Sequence, residues 1–132
     1  MVQSGAGAGI GASDADYVTS GAVIGADAAE VFEFSKMIVK VKEPQAVERA
    51  MLRPDHVLFT YLHLAPDAAQ TSDLIASGAT CIAYETVTDR HGGLPLLAPM
   101  SKVAGRMSIQ AAANALEAPN GGGLDRHSAG DL

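Results

Sequence analysis

Positive charge is scarce in this chain. Lysine and arginine together number 9 against 15 aspartates and glutamates, a formal net charge of −6. Nucleic acids and anionic membrane surfaces are held by basic faces, so neither is an expected partner. Long apolar runs are missing too, since none approaches the ~18 residues of a membrane span. The first residues carry neither a basic segment nor an apolar core, so no secretory signal is expected. Cysteine is almost absent. Cys81 stands alone in an apolar run and has no internal disulfide partner, which points to a buried thiol in a cytoplasmic chain.

What remains is the material of one globular domain: 132 residues, 48% of them hydrophobic. Glycine clusters at the ends, at Gly5, Gly7, Gly9 and Gly11 and again at Gly121 to Gly123. Ser13 with Asp14 and Asp16 predicts a short helix over about 14–20. A strand follows at 22–24, and Asp27 caps a helix with Ala28, Val31 and Phe32 inward. Residues 37–41 read as a strand, and Pro44 as a helix start with Val47, Met51 and Leu52 inward. Residues 56–61 read as a strand. Asp67 opens a helix with Ala68, Leu74 and Ile75 inward, and Gly78 stops it. A strand at 80–84 and a loop at 86–99 lead to a longer helix, capped by Ser101 and running to about 118. This alternation of strand and helix predicts an α/β fold, a parallel sheet covered by helices on both faces. It has no internal repeat.

Such sheets present their chemistry at the carboxyl ends of the strands. Met37 to Val41 ends in Lys42 and Glu43; Leu58 to Leu62 ends in His63. Lys42 reads either as a solvated strand end or as a cation that holds a substrate carboxylate or carbonyl oxygen. His63 reads either as a satisfied rim histidine or as a general acid/base. His56, His91 and His127 lack metal-ligand spacing, so no metal is expected. Gly7-Ala-Gly9-Ile-Gly11-Ala12, with Asp27 further on, matches a dinucleotide fingerprint. Asp14 and Asp16 already occupy the helix start that would receive the pyrophosphate, which favours a plain turn. Leu94 to Ser101 is an apolar loop, either a packed linker or a cleft wall.

Several longer motifs lie in order over about residues 2–122. They are Gly5-Ala-Gly-Ala-Gly-Ile-Gly11 with Ser13-Asp-Ala-Asp-Tyr17, Val39-Lys-Val-Lys-Glu-Pro44, Leu58-Phe-Thr-Tyr-Leu-His-Leu-Ala65, Ile82-Ala-Tyr-Glu-Thr-Val87, and Leu94-Pro-Leu-Leu-Ala-Pro-Met-Ser101 with Val103-Ala-Gly-Arg106. Together they resemble bacterial alanine dehydrogenases, a family related to the catalytic subunit of nicotinamide nucleotide transhydrogenase. The resemblance implies a Rossmann/flavodoxin-like substrate domain and the reversible conversion of L-alanine, NAD+ and water to pyruvate, ammonia and NADH. It implies Lys42 as substrate-binding, His63 as proton donor and acceptor, Met100 at the substrate and Ser101 at NAD. Lys102 stands where the family commonly has an acid.

The same resemblance implies that the fold is incomplete at its N-terminus, with a substrate-binding arginine lying upstream. Residues 1–100 are then the substrate domain, 101–120 an inter-domain helix and 121–132 a divergent, disordered tail. The main NAD domain is absent, so the isolated chain is expected to be inactive. Homo-oligomers are expected of the intact family. Two other readings stand beside this one. A transhydrogenase-type nucleotide-binding subunit would need a membrane partner, and Tyr61-Leu-His63-Leu speaks against it. A non-catalytic remnant would act as an interaction module.

Overall fold

A computed structural model describes residues 1–117 of the chain. It divides into two compact units, Met1–Val87 and a second that begins at Thr88. In the first unit β1 (Val2–Gln3) pairs in parallel with β2 (Ile24–Gly25). A second parallel sheet has the order β3 (Met37–Val39), β4 (Val57–Thr60) and β5 (Thr80–Ala83). The α/β class and the parallel pairing agree with the sequence reading. The single sheet does not: β1 and β3 are both edge strands, and a cleft of about 640 Å³ is lined from both edges.

The core gathers on one face of the larger sheet. Ile38 of β3, Leu58 of β4 and Cys81 of β5 share a register row. Ile38 and Leu58 pack with Phe32, Leu52, Leu62 and Leu74, and Cys81 lies against this cluster. Phe32 comes from α2 (Ala28–Phe34) and Leu74 from α4 (Ala68–Ser77), while Leu52 follows α3 (Ala46–Arg49). The next row, Val39, Phe59 and Ile82, lies on the other face, where Val39 is 60% exposed. Parallel sheets flanked by helices agree with the expected class, and within the first unit the packed residues lie on the first of these faces.

Local chemistry explains most element ends. α1 (Asp14–Thr19) starts on a capping box in which Ser13 and Asp16 bond each other's backbone amides. Asp27 caps α2 and Asp67 caps α4 through side-chain oxygens. Gly78 closes α4 in the left-handed region at φ 69°, where a Cβ is strained. The inward positions of two helices need correction. Leu74 is buried, but Ile75 sits one residue around the helix and is exposed; Gln70, one turn earlier on the same face as Leu74, is buried instead. Val47 is likewise exposed.

In the second unit α5 runs over Ala98–Leu116. Leu97 holds the cap position and Pro99 sits in the first turn, where its fixed φ and missing donor suit the helix. Ser101 is therefore not the cap: its N–H donates to the Leu97 carbonyl at 3.1 Å. No residue of α5 is buried. No helix among the described residues is long and apolar enough to cross a membrane. The expected tail over 121–132 lies outside the described residues.

Leu58 and Ile75 offer a direct comparison. Leu58→Ala is expected to cost about 2–5 kcal/mol because a fully buried leucine leaves a cavity. Ile75→Ala is expected to change stability by less than about 0.5 kcal/mol. Urea unfolding of the two variants checks both values.

Candidate active site

The ends of β3 and β4 are tied together past their regular pairing. The Lys40 N–H donates to the Phe59 carbonyl at 3.2 Å, and the Tyr61 N–H donates to the Val41 carbonyl at 3.2 Å. The Thr60 hydroxyl, fully buried, lies 3.1 Å from the Val41 carbonyl and 3.0 Å from the Lys42 carbonyl. The segment after β3 thus runs alongside the end of β4. Lys40 turns into the domain and pairs with Glu48. Lys42, two residues on, is exposed.

Glu43 links the two strand ends. Its carboxylate lies 3.2 Å from Lys42 Nζ and 3.5 Å from His63 Nδ1. A hydrogen bond from its own backbone amide holds the Glu43 carboxyl below its ordinary range, against some burial; Lys42 and His63 act in the same direction. Lys42, Glu43 and His63 share a cavity of about 390 Å³ with Pro66, Asp67 and Gln70. That volume accommodates a small polar molecule. Lys42 and His63 are thus brought to one cavity, as their strand-end positions suggested.

His63 has an unusual backbone. Its φ is 47°, and it is the one non-glycine residue at positive φ among the described residues. Such a conformation is costly for a residue with a Cβ and persists only where the surroundings fix it. Two side chains fix it here. The Glu85 carboxylate accepts the Leu62 N–H at 3.1 Å and the His63 N–H at 2.7 Å. The buried Gln70 amide donates to the Leu62 carbonyl. Burial raises the Glu85 carboxyl, but the amides of His63, Glu85 itself and Leu62 outweigh it and bring it below its ordinary value. Glu85 follows β5, the third strand of this sheet, so the strand-end rule that singles out Lys42 and His63 applies to it equally. Sequence reasoning passed over it.

The glycine loop is held by internal bonds. Asp14 accepts from the Ser4 hydroxyl at 2.7 Å and from the Gly5 N–H at 2.8 Å, so the loop's donors close on an internal carboxylate. Those two bonds lower the Asp14 pKa. A Cβ on Gly7 would lie 2.6 Å from the Ala12 carbonyl oxygen and 2.7 Å from the Tyr17 ring, so this glycine serves tight packing. Asp27 caps α2 by accepting the Glu30 N–H. The remaining histidines also have other places. His56 is buried, its Nδ1 accepting the Arg53 N–H at 3.2 Å, and His91 accepts from Arg90. No group of three or more metal-ligand side chains occurs among the described residues. Burial raises the Cys81 thiol pKa.

In the second unit Met100, half-exposed, lines a shallow apolar hollow with Pro99, Val103, Ala104 and Met107. Ser101 and Lys102 follow it on α5 and are exposed.

The structure is a parallel α/β domain with a cation, an acid and an imidazole at adjacent strand ends, the end of the sheet at which ligands of open α/β folds bind. The chain belongs to the alanine dehydrogenase/PNT family, whose N-terminal-domain model matches residues 1–104. It is 57% identical over 122 residues to an alanine dehydrogenase of Halomonas elongata, covering 92% of this chain and 33% of that protein. A solved L-alanine dehydrogenase aligns with TM-score 0.78 at 46% identity, covering 91% of this chain and 33% of the other. A transhydrogenase from Sinorhizobium meliloti aligns less well, with TM-score 0.61 at 29% identity over 67% of this chain and 26% of the other. The chain spans about a third of the length of the curated relatives it matches.

The Glu85 clamp generates a measurable expectation. A carboxyl whose folded pKa is depressed stabilises the fold above its ordinary range, near 4.5, and that stabilisation is lost as pH falls through the lower folded value. The His63 turn is therefore expected to persist at pH 5 and to relax in acid below the ordinary glutamate range. Glu85→Gln, whose single oxygen replaces a charged acceptor, is expected to lose about 1–2 kcal/mol at neutral pH. The three-bond amide coupling of His63 by NMR, with urea unfolding, checks both.

Proposed function

We propose that this chain carries the substrate-binding part of an NAD-dependent alanine dehydrogenase, which converts L-alanine, NAD+ and water to pyruvate, ammonium, NADH and a proton. The observation that carries this reading is the meeting of Lys42, Glu43 and His63 in one cavity. An ammonium is the natural partner of a substrate carboxylate or a polarised carbonyl oxygen. An imidazole is the side chain suited to exchanging protons near neutral pH. Glu43 at Nδ1 favours the tautomer with its proton there, which leaves Nε2 to take and return the proton as water adds and ammonia departs.

When bound, NAD+ supplies the hydride acceptor. Within this chain Ser101 is proposed to contact it and Met100 to border the substrate; the rest of its site belongs to the length of the relatives that this chain does not span. Residues 1–100 are proposed as the substrate domain and 101–120 as the helix leading out of it. The lone thiol and the acidic surface suit a cytoplasmic setting, and homo-oligomers are proposed for the intact protein. The transhydrogenase reading has the weaker support of the lower structural likeness.

A hybrid tests the assignment. The matched 122 residues of this chain replace their counterpart in the Halomonas elongata enzyme. The hybrid is expected to reduce NAD+ with L-alanine, followed as NADH absorbance. His63→Ala in the hybrid is expected to lower kcat by ~10²–10⁴, and Lys42→Ala to raise KM for alanine at least tenfold. Full activity without the His63 imidazole would overturn the role given to it. The chain by itself is expected to give no turnover, because hydride transfer needs both reactants fixed in contact.

A further inference from the structure

The cavity of Lys42 and His63 also holds acceptors that the roles proposed above leave unused. Gln70 is 1% exposed, yet it lines this cavity. Its Nε2 donates to the Leu62 carbonyl. The planar amide therefore turns Oε1 away from that carbonyl. Oε1 receives no hydrogen bond among the described residues. Nor is it sealed in, because the one fully occluded side-chain nitrogen or oxygen without a partner among those residues is His56 Nε2. An acceptor this deep destabilises the fold unless a donor meets it.

Asp67 stands three residues before Gln70, at the cap of α4, and lines the same cavity. Residues three apart on a helix are neighbours. Asp67 Oδ1 accepts the Gln70 N–H at 2.8 Å, while Oδ2 has no partner among the described residues. The cavity's other carboxylate, Glu43, is already shared between Lys42 and His63. The open acceptors are thus one anion and one neutral oxygen, both from α4, and the open cation is Lys42, from the end of β3.

This arrangement sorts the two ends of a zwitterion. A carboxylate is drawn to Lys42 and repelled by Asp67. An ammonium is repelled by Lys42 and finds in Asp67 and Gln70 acceptors for two of its three hydrogens. Neither charge is left unpaired once water is expelled.

We propose that Asp67 and Gln70 form an ammonium subsite, which receives the amino group of a 2-amino acid while Lys42 receives its carboxylate. The subsite rests on the alanine reading above and names what sets its specificity. A carboxylic acid without the nitrogen leaves Asp67 Oδ2 and Gln70 Oε1 with no donor, and is rejected for that reason.

The hybrid with the Halomonas elongata enzyme, saturated with NAD+, provides the test. Its substrate is L-alanine and its inhibitor is propanoate, which has the same carbon skeleton and carboxylate but no nitrogen. The readout is KM for L-alanine divided by Ki for propanoate, a quotient in which damage common to both ligands cancels. Asp67→Asn keeps an oxygen for the cap and loses the charge; the quotient is expected to rise at least about tenfold. Asp67→Ser, which also caps, is expected to do the same. Gln70→Met keeps the length and loses the acceptor. It also loses the bond to Leu62, so kcat is expected to fall through His63, but the quotient is expected to rise at least about threefold. An unchanged quotient at either position overturns the subsite and leaves the roles of Lys42 and His63 standing. A hybrid with no alanine turnover overturns the parent reading, and the subsite falls with it.

Discussion

The turn after β4 depends on one carboxylate. Leu62 is buried and His63 is exposed, so the chain leaves the core within a single residue. It does so through a left-handed step at a histidine, which backbone sterics alone disfavour. Glu85 makes this possible by accepting two consecutive amides, and Gln70 takes the carbonyl between them. The bonds come from two separate places: Glu85 from just past β5, Gln70 from α4. The position of the imidazole is thus a property of the packed sheet and helix together.

Once His63 is placed, its neighbours decide its behaviour. Glu43 sits between the imidazole and the Lys42 ammonium and answers to both. In the role proposed for Lys42, an arriving carboxylate would compete with Glu43 for it. Two unit charges 4 Å apart interact by about 4 kcal/mol near a protein surface, against about 1 kcal/mol in bulk water. Expelling water from the cavity would therefore sharpen that competition. Displaced from Lys42, the Glu43 carboxylate would remain beside Nδ1 of His63. In the proposed role, a carboxylate arriving at Lys42 is linked to His63 through this one side chain.

The sequence made some of this legible and hid the rest for identifiable reasons. Strand ends at Lys42 and His63 were readable because apolar β runs stop there. Helix ends were readable where the signal is local: Ser13, Asp27, Asp67 and Gly78 each act on their own turn. Ser101 failed as a cap because Pro99 had already started the helix at Ala98. Ile75 failed as a core position because hydrophobicity alone cannot say which of two adjacent apolar residues faces in; the polar Gln70 faces in because it has the Leu62 carbonyl to bond. Glu85 was missed for a similar reason. Its partners are backbone amides 22 and 23 residues away, and no side-chain pattern announces them.

The glycine loop shows why a motif has to be judged by its donors. The match at Gly7 to Ala12 has the spacing of a phosphate cradle, and a phosphate cradle works by leaving amide N–H groups unspent. Here the Gly5 amide is spent on Asp14, a residue two places beyond the motif. The carboxylate does from within the chain what a pyrophosphate would do from outside. A second anion beside Asp14 would be repelled by it. Within the motif itself the Ala8, Ile10, Gly11 and Ala12 amides are spent on carbonyls of the same loop. Glycine at position 7 is then explained by the Tyr17 ring and the Ala12 carbonyl pressing against it, with no ligand required.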